Sequence, residues 1–228
     1  MSLSGLNEKQ QLFEIYKKFI DFLGDFLGSD YELVLHDTDN VENSIVYIKN
    51  SFSARKVGGS ITELGLRFIK EKTYEGESYC VNYSSKLSDG RTIRSATYFI
   101  KDGSGKLAGL LCINVDVTKA MLFDDYIQEF IKGQKTLPPI KDTQVPYTKG
   151  GSSQTLSDSI EDVAQEMING VISGFGIPVE RMSLDEKKEA ISQLDGKGLF
   201  LIKGSVKAVS ARLQVSEATV YRCISSGK

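Results

Sequence analysis

Apolar residues recur along this chain with two different periods. Over residues 9–28 they fall at steps of three and four: Leu12, Tyr16, Phe19, Leu23 and Phe26, with Phe13, Ile20 and Leu27 beside them. That spacing predicts an amphipathic helix. The pattern then shortens. YELVLHD (31–37) and NSIVYIKN (43–50) are short apolar runs rich in β-branched and aromatic residues, separated by Asp37, Asp39 and Asn40. Two strands and a hairpin-like connection are the simplest account. SITELGLRFIKEK (60–72) places Ser60 and Glu63 three apart, a capping-box spacing, so loop and helix are expected over 53–72. Strands follow at 78–87, 92–102 and 106–118, separated by Ser88-Asp89-Gly90 and by Asp102-Gly103-Ser104-Gly105. Such turns supply the positive φ that tight reversals need. The order describes an α+β domain: five antiparallel strands with flanking helices over residues 6–132.

A polar stretch with Pro138, Pro139, Pro146, Gly150 and Gly151 predicts a linker over 133–155. Helical spacing returns over 156–176, where Ile160, Val163, Met167 and Val171 form a stripe, and Gly174, Gly176 and Pro178 stop it. This stripe is expected to serve as a connecting or dimerisation helix. An all-α unit is expected over 180–228. Ser183 and Glu186 open its first helix, Val206, Val209 and Leu213 line a second, and Ser216 starts a third.

The third helix is the informative one. Val215 and Val220 have the spacing of a hydrophobic staple, and only Gln214-Val215 separates the last two helices. Three short helices with so tight a turn match a helix-turn-helix. Its outward side would carry Glu217, Ala218, Tyr221 and Arg222, where a recognition helix meets base edges. Arg222 suits guanine or a phosphate, and Lys207, Ser216 and Thr219 suit phosphates. Glu217 either accepts from a cytosine amino group or complements the helix N-terminus. The competing reading is a solvated helical hairpin closing a core. Charge favours DNA: from Arg181 onward nine Lys/Arg face five Asp/Glu, a net of +4, whereas the whole chain carries −2.

Several segments together are similar to a known family: LHD (35–37), SIVYIKN (44–50), RKVGGSITELGL (55–66), DGRTIRSATYFI (89–100), GLLCINVDVT (109–118) and KGLFLIKGSVKAVSARLQVSEATVY (197–221). They resemble the YheO-like bacterial transcriptional regulators. The resemblance implies a PAS-like sensory domain joined to a C-terminal helix-turn-helix, with the five strands forming the PAS sheet. Gln214 departs from the glycine usual at that turn.

The remaining chemistry is sparse. His36 is the sole histidine, which rules out a multi-histidine metal site and leaves little for nucleophilic catalysis. An enzyme is therefore not expected, and no cofactor or metal is implied. KDGSGKLAG (101–109) fails as a phosphate loop, because Lys106 precedes Leu107 and the segment leads into a strand. His36-Asp37 is either a locally bonded strand end or a polar pair facing a ligand. Tyr83, Ser95, Thr97 and Asn114 are polar residues within apolar strands, so they either line a small-molecule pocket or face solvent. Cys80, Cys112 and Cys223 have no metal-type spacing and read as reduced thiols. No apolar run is long enough to span a membrane.

The expectation is a cytoplasmic, homodimeric regulator that binds double-stranded operator DNA and responds to a small-molecule effector. The linker and helix 156–176 would carry the signal. The alternative is a signalling adaptor acting through protein contacts.

Overall fold

The computed structural model describes residues 6–87, 89–132, 154–155 and 159–226. Helix α1 (Glu8–Leu27) opens on a capping box: Asn7 accepts the Gln10 amide at 2.9 Å and Gln10 accepts the Asn7 amide at 3.0 Å. Strands β1 (Tyr31–Asp37) and β2 (Ile45–Lys49) form an antiparallel pair. Helices α2 (Glu63–Lys70) and α3 (Thr73–Gly76) follow. Then come β3 (Tyr79–Lys86), β4 (Thr92–Lys101), β5 (Leu107–Asp116) and helix α4 (Thr118–Lys132). Strands β1 to β5 run in the order β2-β1-β5-β4-β3, all antiparallel to their neighbours, so the first strand pairs with the last long one. Asp102 anchors the β4–β5 turn by accepting the Ser104 and Lys106 amides.

Four details differ from the sequence expectation. The two-residue strand β6 (Gln154–Thr155) adds to β3 in parallel, inside the stretch expected to be linker. The rest of that stretch, 133–153, lies outside the described residues. Helix α4 has no counterpart among the expected elements. Its apolar residues Leu122, Phe123, Tyr126, Ile127 and Phe130 recur at helical steps, but none of them is buried. The α2 cap is Thr62, whose hydroxyl accepts the Gly65 amide at 3.2 Å, and not Ser60. The Ile61 amide bonds the Val41 carbonyl, which holds the chain extended past Ser60 and delays the helix by two residues. Finally, the sheet-facing line of α1 runs through Phe13, Ile20 and Gly24, which leaves Phe19 and Phe26 outside.

Each face of the sheet has its own core. On one face α1 packs Phe13 and Ile20 against Leu33, Leu35, Ile100, Ala108 and Leu111. Gly24 permits the approach, since a Cβ there would run into Lys49. On the other face α2 contributes Leu64, Leu66 and Phe68 to a larger core with Tyr83, Phe99 and Leu110. That core continues without a break into the C-terminal helices α5 (Ile160–Gly174), α6 (Leu184–Gly196), α7 (Ser205–Leu213) and α8 (Glu217–Ser226). All seven large and small apolar residues of the α5 stripe, from Ile160 to Ile172, are buried within this single chain.

Candidate functional site

Helices α6, α7 and α8 build the first site. The predicted Ser183–Glu186 capping box is present on α6, which buries Ala190, Ile191 and Leu194. Helix α7 ends at Gln214, a left-handed residue with φ 54° and ψ 49°. A side chain in that region is disfavoured by about 1–2 kcal/mol, the cost that a glycine at this turn avoids. Gln214 keeps the turn nonetheless, with the Val215 amide bonded to the Ser210 carbonyl at 3.0 Å. Ser216 caps α8 by accepting the Thr219 amide at 3.2 Å. Val220 is fully buried, and Val215 packs half-buried on the same core.

This anchoring fixes which side of α8 faces out. Glu217, Ala218, Tyr221 and Arg222 are exposed, as are Ser216 and, on α7, Lys207. Thr219 is half-buried. Its hydroxyl bonds Ser216 at 2.9 Å and accepts from Arg222 at 3.3 Å. Six of the seven residues expected to meet DNA thus lie at the cap or in the first two turns of α8, and Lys207 is exposed near the start of α7. An open groove of about 660 Å³ runs beside them, lined by Lys188, Glu189 and Ser192 of α6 and by Thr219, Arg222 and Cys223 of α8. The unbonded amides at the α8 N-terminus add positive potential to the exposed end.

The second site is a buried polar row on the sheet face that α2 covers. Register places Tyr83, Ser95, Asn114 and Glu32 opposite one another across four strands. Ser85 and Ser95 share a bond of 2.9 Å, Ser95 donates to Asn114 at 2.8 Å, and Asn114 donates to Glu32 at 3.0 Å. The Ser53 amide donates to the other Glu32 oxygen at 3.2 Å. One step along the sheet, the Tyr83 hydroxyl and Thr97 bond at 2.7 Å. His36 lies on the same face, bonded through Nδ1 to Ser44 at 2.8 Å.

Of the six residues expected to meet a ligand, five therefore share this face and Asp37 does not. Alternation turns Asp37 to the α1 side, where Lys9 Nζ lies 2.5 Å away. The His36-Asp37 pair is thus divided between the two faces. Burial holds the His36 imidazole well below its usual 6.5, helped by the charge of Arg55. Burial likewise pushes the Tyr83 phenol well above 10, with Cys112 adding to the effect, and raises the Cys112 thiol. These groups are neutral hydrogen-bonding groups at neutral pH.

Glu32, Ser44, Arg55 and Ser85 belong to this face and were not among the expected residues. Glu32 was within reach, because stepping back by twos from His36 passes Val34 and lands on it. Arg55 was not: it sits in an irregular loop, 3 % exposed, and donates to the Ser60 carbonyl at 3.0 Å. Among the described residues no cluster of His, Cys, Asp and Glu is arranged to hold a metal, and no helix is long and apolar enough to cross a membrane. The three cysteines are free thiols.

Comparison with known proteins places these two sites in one architecture. Residues 7–132, more than half of the chain, match the model of the YheO-like PAS domain. The chain belongs to the YheO-like family of bacterial transcriptional regulators. Residues 163–225 match a helix-turn-helix domain model, a span that begins inside α5 and ends in α8. The five-stranded sheet is therefore the PAS sheet, and α6–α8 belong to the helix-turn-helix domain. YheO of Escherichia coli K12, an uncharacterised protein, is 28% identical over 207 residues, covering 90% of this chain and 80% of its own length. The transcriptional regulator DauR of Pseudomonas aeruginosa is 25% identical over 212 residues, covering 92% and 91%. Among solved structures, the phage VqmA–DPO complex overlays 95% of this chain and 90% of its own at 12% identity. Its TM-score of 0.33 is too low to bear on this molecule.

Proposed function

We propose that the protein is a DNA-binding transcriptional regulator that places α8 in the major groove and takes a small polar effector at the buried face of its PAS sheet. One observation carries the DNA reading. Helix α8 is capped by Ser216 and anchored through Val220, and it presents Glu217, Ala218, Tyr221 and Arg222 to solvent. In that arrangement Arg222 and Tyr221 read base edges, while Lys207 and the hydroxyls of Ser216 and Thr219 meet phosphates. Tyr83, Ser95, Thr97, Asn114 and His36 support the effector reading. They gather hydrogen-bonding groups into an apolar setting, the composition of small-molecule sites.

The active form is a homodimer, since one short recognition helix reads only a half-site and paired half-sites lie about 34 Å apart. The α5 stripe is spent within its own chain, so the second copy packs on α1 and α4. There Phe19, Phe22 and Phe26, and Leu122, Phe123 and Phe130, are 57–79 % exposed. Apolar surface of this extent marks an association site.

A gel-shift titration across salt concentrations tests the DNA reading, using a duplex selected by the chain from a random-sequence pool. Affinity is expected to fall steeply with salt as counterions are released. Arg222→Ala is expected to weaken binding by about 1–3 kcal/mol. Binding that is salt-independent and unmoved by Arg222→Ala would favour an adaptor that works through protein contacts.

A further inference from the structure

Helix α2 is a wall common to the PAS sheet and the DNA-binding module. From the sheet side, Phe68 meets Phe99 edge-on at 5.2 Å between ring centroids and meets Tyr83 edge-on at 6.5 Å. Tyr83 is the residue whose hydroxyl bonds Thr97 in the polar face. From the other side, the C-terminal module grips both ends of the helix. Lys197 Nζ lies 2.5 Å from Glu63, and Lys70 Nζ lies 2.5 Å from Asp195. Glu63 and Lys70 are seven residues apart and so share one side of α2. Their partners are two residues apart where α6 ends. Between the two pairs Gly198, at φ +82°, lets the backbones touch: a Cβ there would sit 2.9 Å from the Leu66 carbonyl oxygen. The Lys203 amide adds a bond of 3.1 Å to Glu42, just before β2. Leu64, Leu66 and Phe68 of α2 share one core with Ile191, Leu194 and Leu199.

The geometry points to α2 as the element that couples occupancy of the polar face to the placement of α8. The inference rests on the effector reading of that face. A molecule that enters against the Tyr83 ring from the α2 side displaces Phe68, which lies edge-on to it. Helix α2 has only eight residues, about two turns, so it moves as a unit and carries Glu63, Leu66 and Lys70 with it. Those contacts hold the end of α6, which packs directly on α8. The route crosses the domain boundary through side chains in contact, independently of the chain connection between the domains.

Hydrogen exchange on the full chain, with no effector present, tests the coupling. Asp195→Lys with Lys197→Glu reverses the charges on the α6 side. Exchange of the 63–70 amides is expected to rise roughly three- to tenfold, extending to β3 and β4 near Tyr83 and Thr97. Adding Glu63→Lys and Lys70→Glu re-forms both pairs inverted and is expected to return exchange to within about twofold of the parent. In the opposite direction, Phe68→Ala is expected to speed exchange over 195–202 by a similar factor. A change confined to the module that carries the substitution, or no rescue by the inverted pairs, overturns the proposal. Saturating DNA supplies a second arm, because coupling is reciprocal: the α2 amides are expected to change protection by at least about threefold, and unchanged protection also overturns it. A metabolite screen that stabilises nothing would count against the effector reading and leave these exchange results standing, so the two failures are distinguishable.

Discussion

Helices α1 and α5 carry similar apolar repeats, and the molecule uses them differently. Every apolar position on α5 from Ile160 to Ile172 is buried in its own chain, and the intervening positions are Glu161, Asp162, Gln165, Glu166, Asn169 and Gly170. One stripe meets one partner, and the rest of the helix suits water. On α1 the buried line of Phe13, Ile20 and Gly24 is matched on the far side by Ile15, Phe19, Phe22 and Phe26, each at least half exposed. A helix that is apolar around most of its circumference needs cover on more than one side. The stripe itself therefore says only that a partner exists. The opposite arc says whether one chain is enough.

The strongest way to break this contrast is to charge the outer arc of α1. Phe19→Asp with Phe22→Asp is expected to convert dimer to monomer in sedimentation equilibrium, removing about 4 kcal/mol or more of association free energy. Operator affinity should fall with it, while thermal unfolding of the chain stays close to the parent. A variant that remains dimeric would show that α1 does not form the interface. On α5 the outcome reverses. Ile168 is fully buried, so Ile168→Ala is expected to destabilise the fold by about 2–5 kcal/mol in urea unfolding and to leave the association constant of the folded chain unchanged.

The same division between a sealed and an open side separates neighbours on β1, and pH sharpens it. Asp37, on the α1 side, is partly exposed and ion-paired. His36, on the α2 side, is buried and held below its usual 6.5. Protonation therefore favours the unfolded chain. The stabilisation is fully present above pH 6.5 and is lost as pH falls toward the folded-state value. With one histidine in the chain, the slope of stability between pH 6.5 and about 5 belongs to His36, and His36→Gln is expected to flatten it. A slope that survives the substitution would contradict the assignment. The smallest expected change lies at the helix-turn-helix turn. Gln214→Gly relieves a left-handed side chain, and a gain of about 0.5–1 kcal/mol in thermal unfolding is expected, offset in part by the flexibility of glycine in the unfolded chain.

Much of this was legible in the residues. β1 has the limits that YELVLHD suggested, and the Ser183 and Ser216 caps sit where the polar spacing put them. Caps and alternation are local, fixed by a few neighbouring residues and the backbone between them. The outward side of α8 was legible for the same reason: Val215, Ser216 and Val220 lie within six residues and together set which side faces out. The polar row was half legible. Ser95 and Thr97 follow from alternation on β4, but the position of Tyr83 depends on the β3 bulge at Asn82, which shifts its register against β4. Arg55 sits in an irregular loop and gave no periodic signal, whereas Leu122, Phe123, Tyr126, Ile127 and Phe130 do recur at helical steps and could have identified α4.

The sequence by itself determined the order of the elements, the caps, and the outward residues of α8, because each depends on interactions within a few residues of chain. Only the tertiary structure decided that α5 is core while α1 keeps a bare flank, and that α2 is gripped by the C-terminal module. Those outcomes depend on which surfaces meet across more than a hundred residues, as in Lys70 with Asp195, and the pattern around either residue alone carries no trace of its partner.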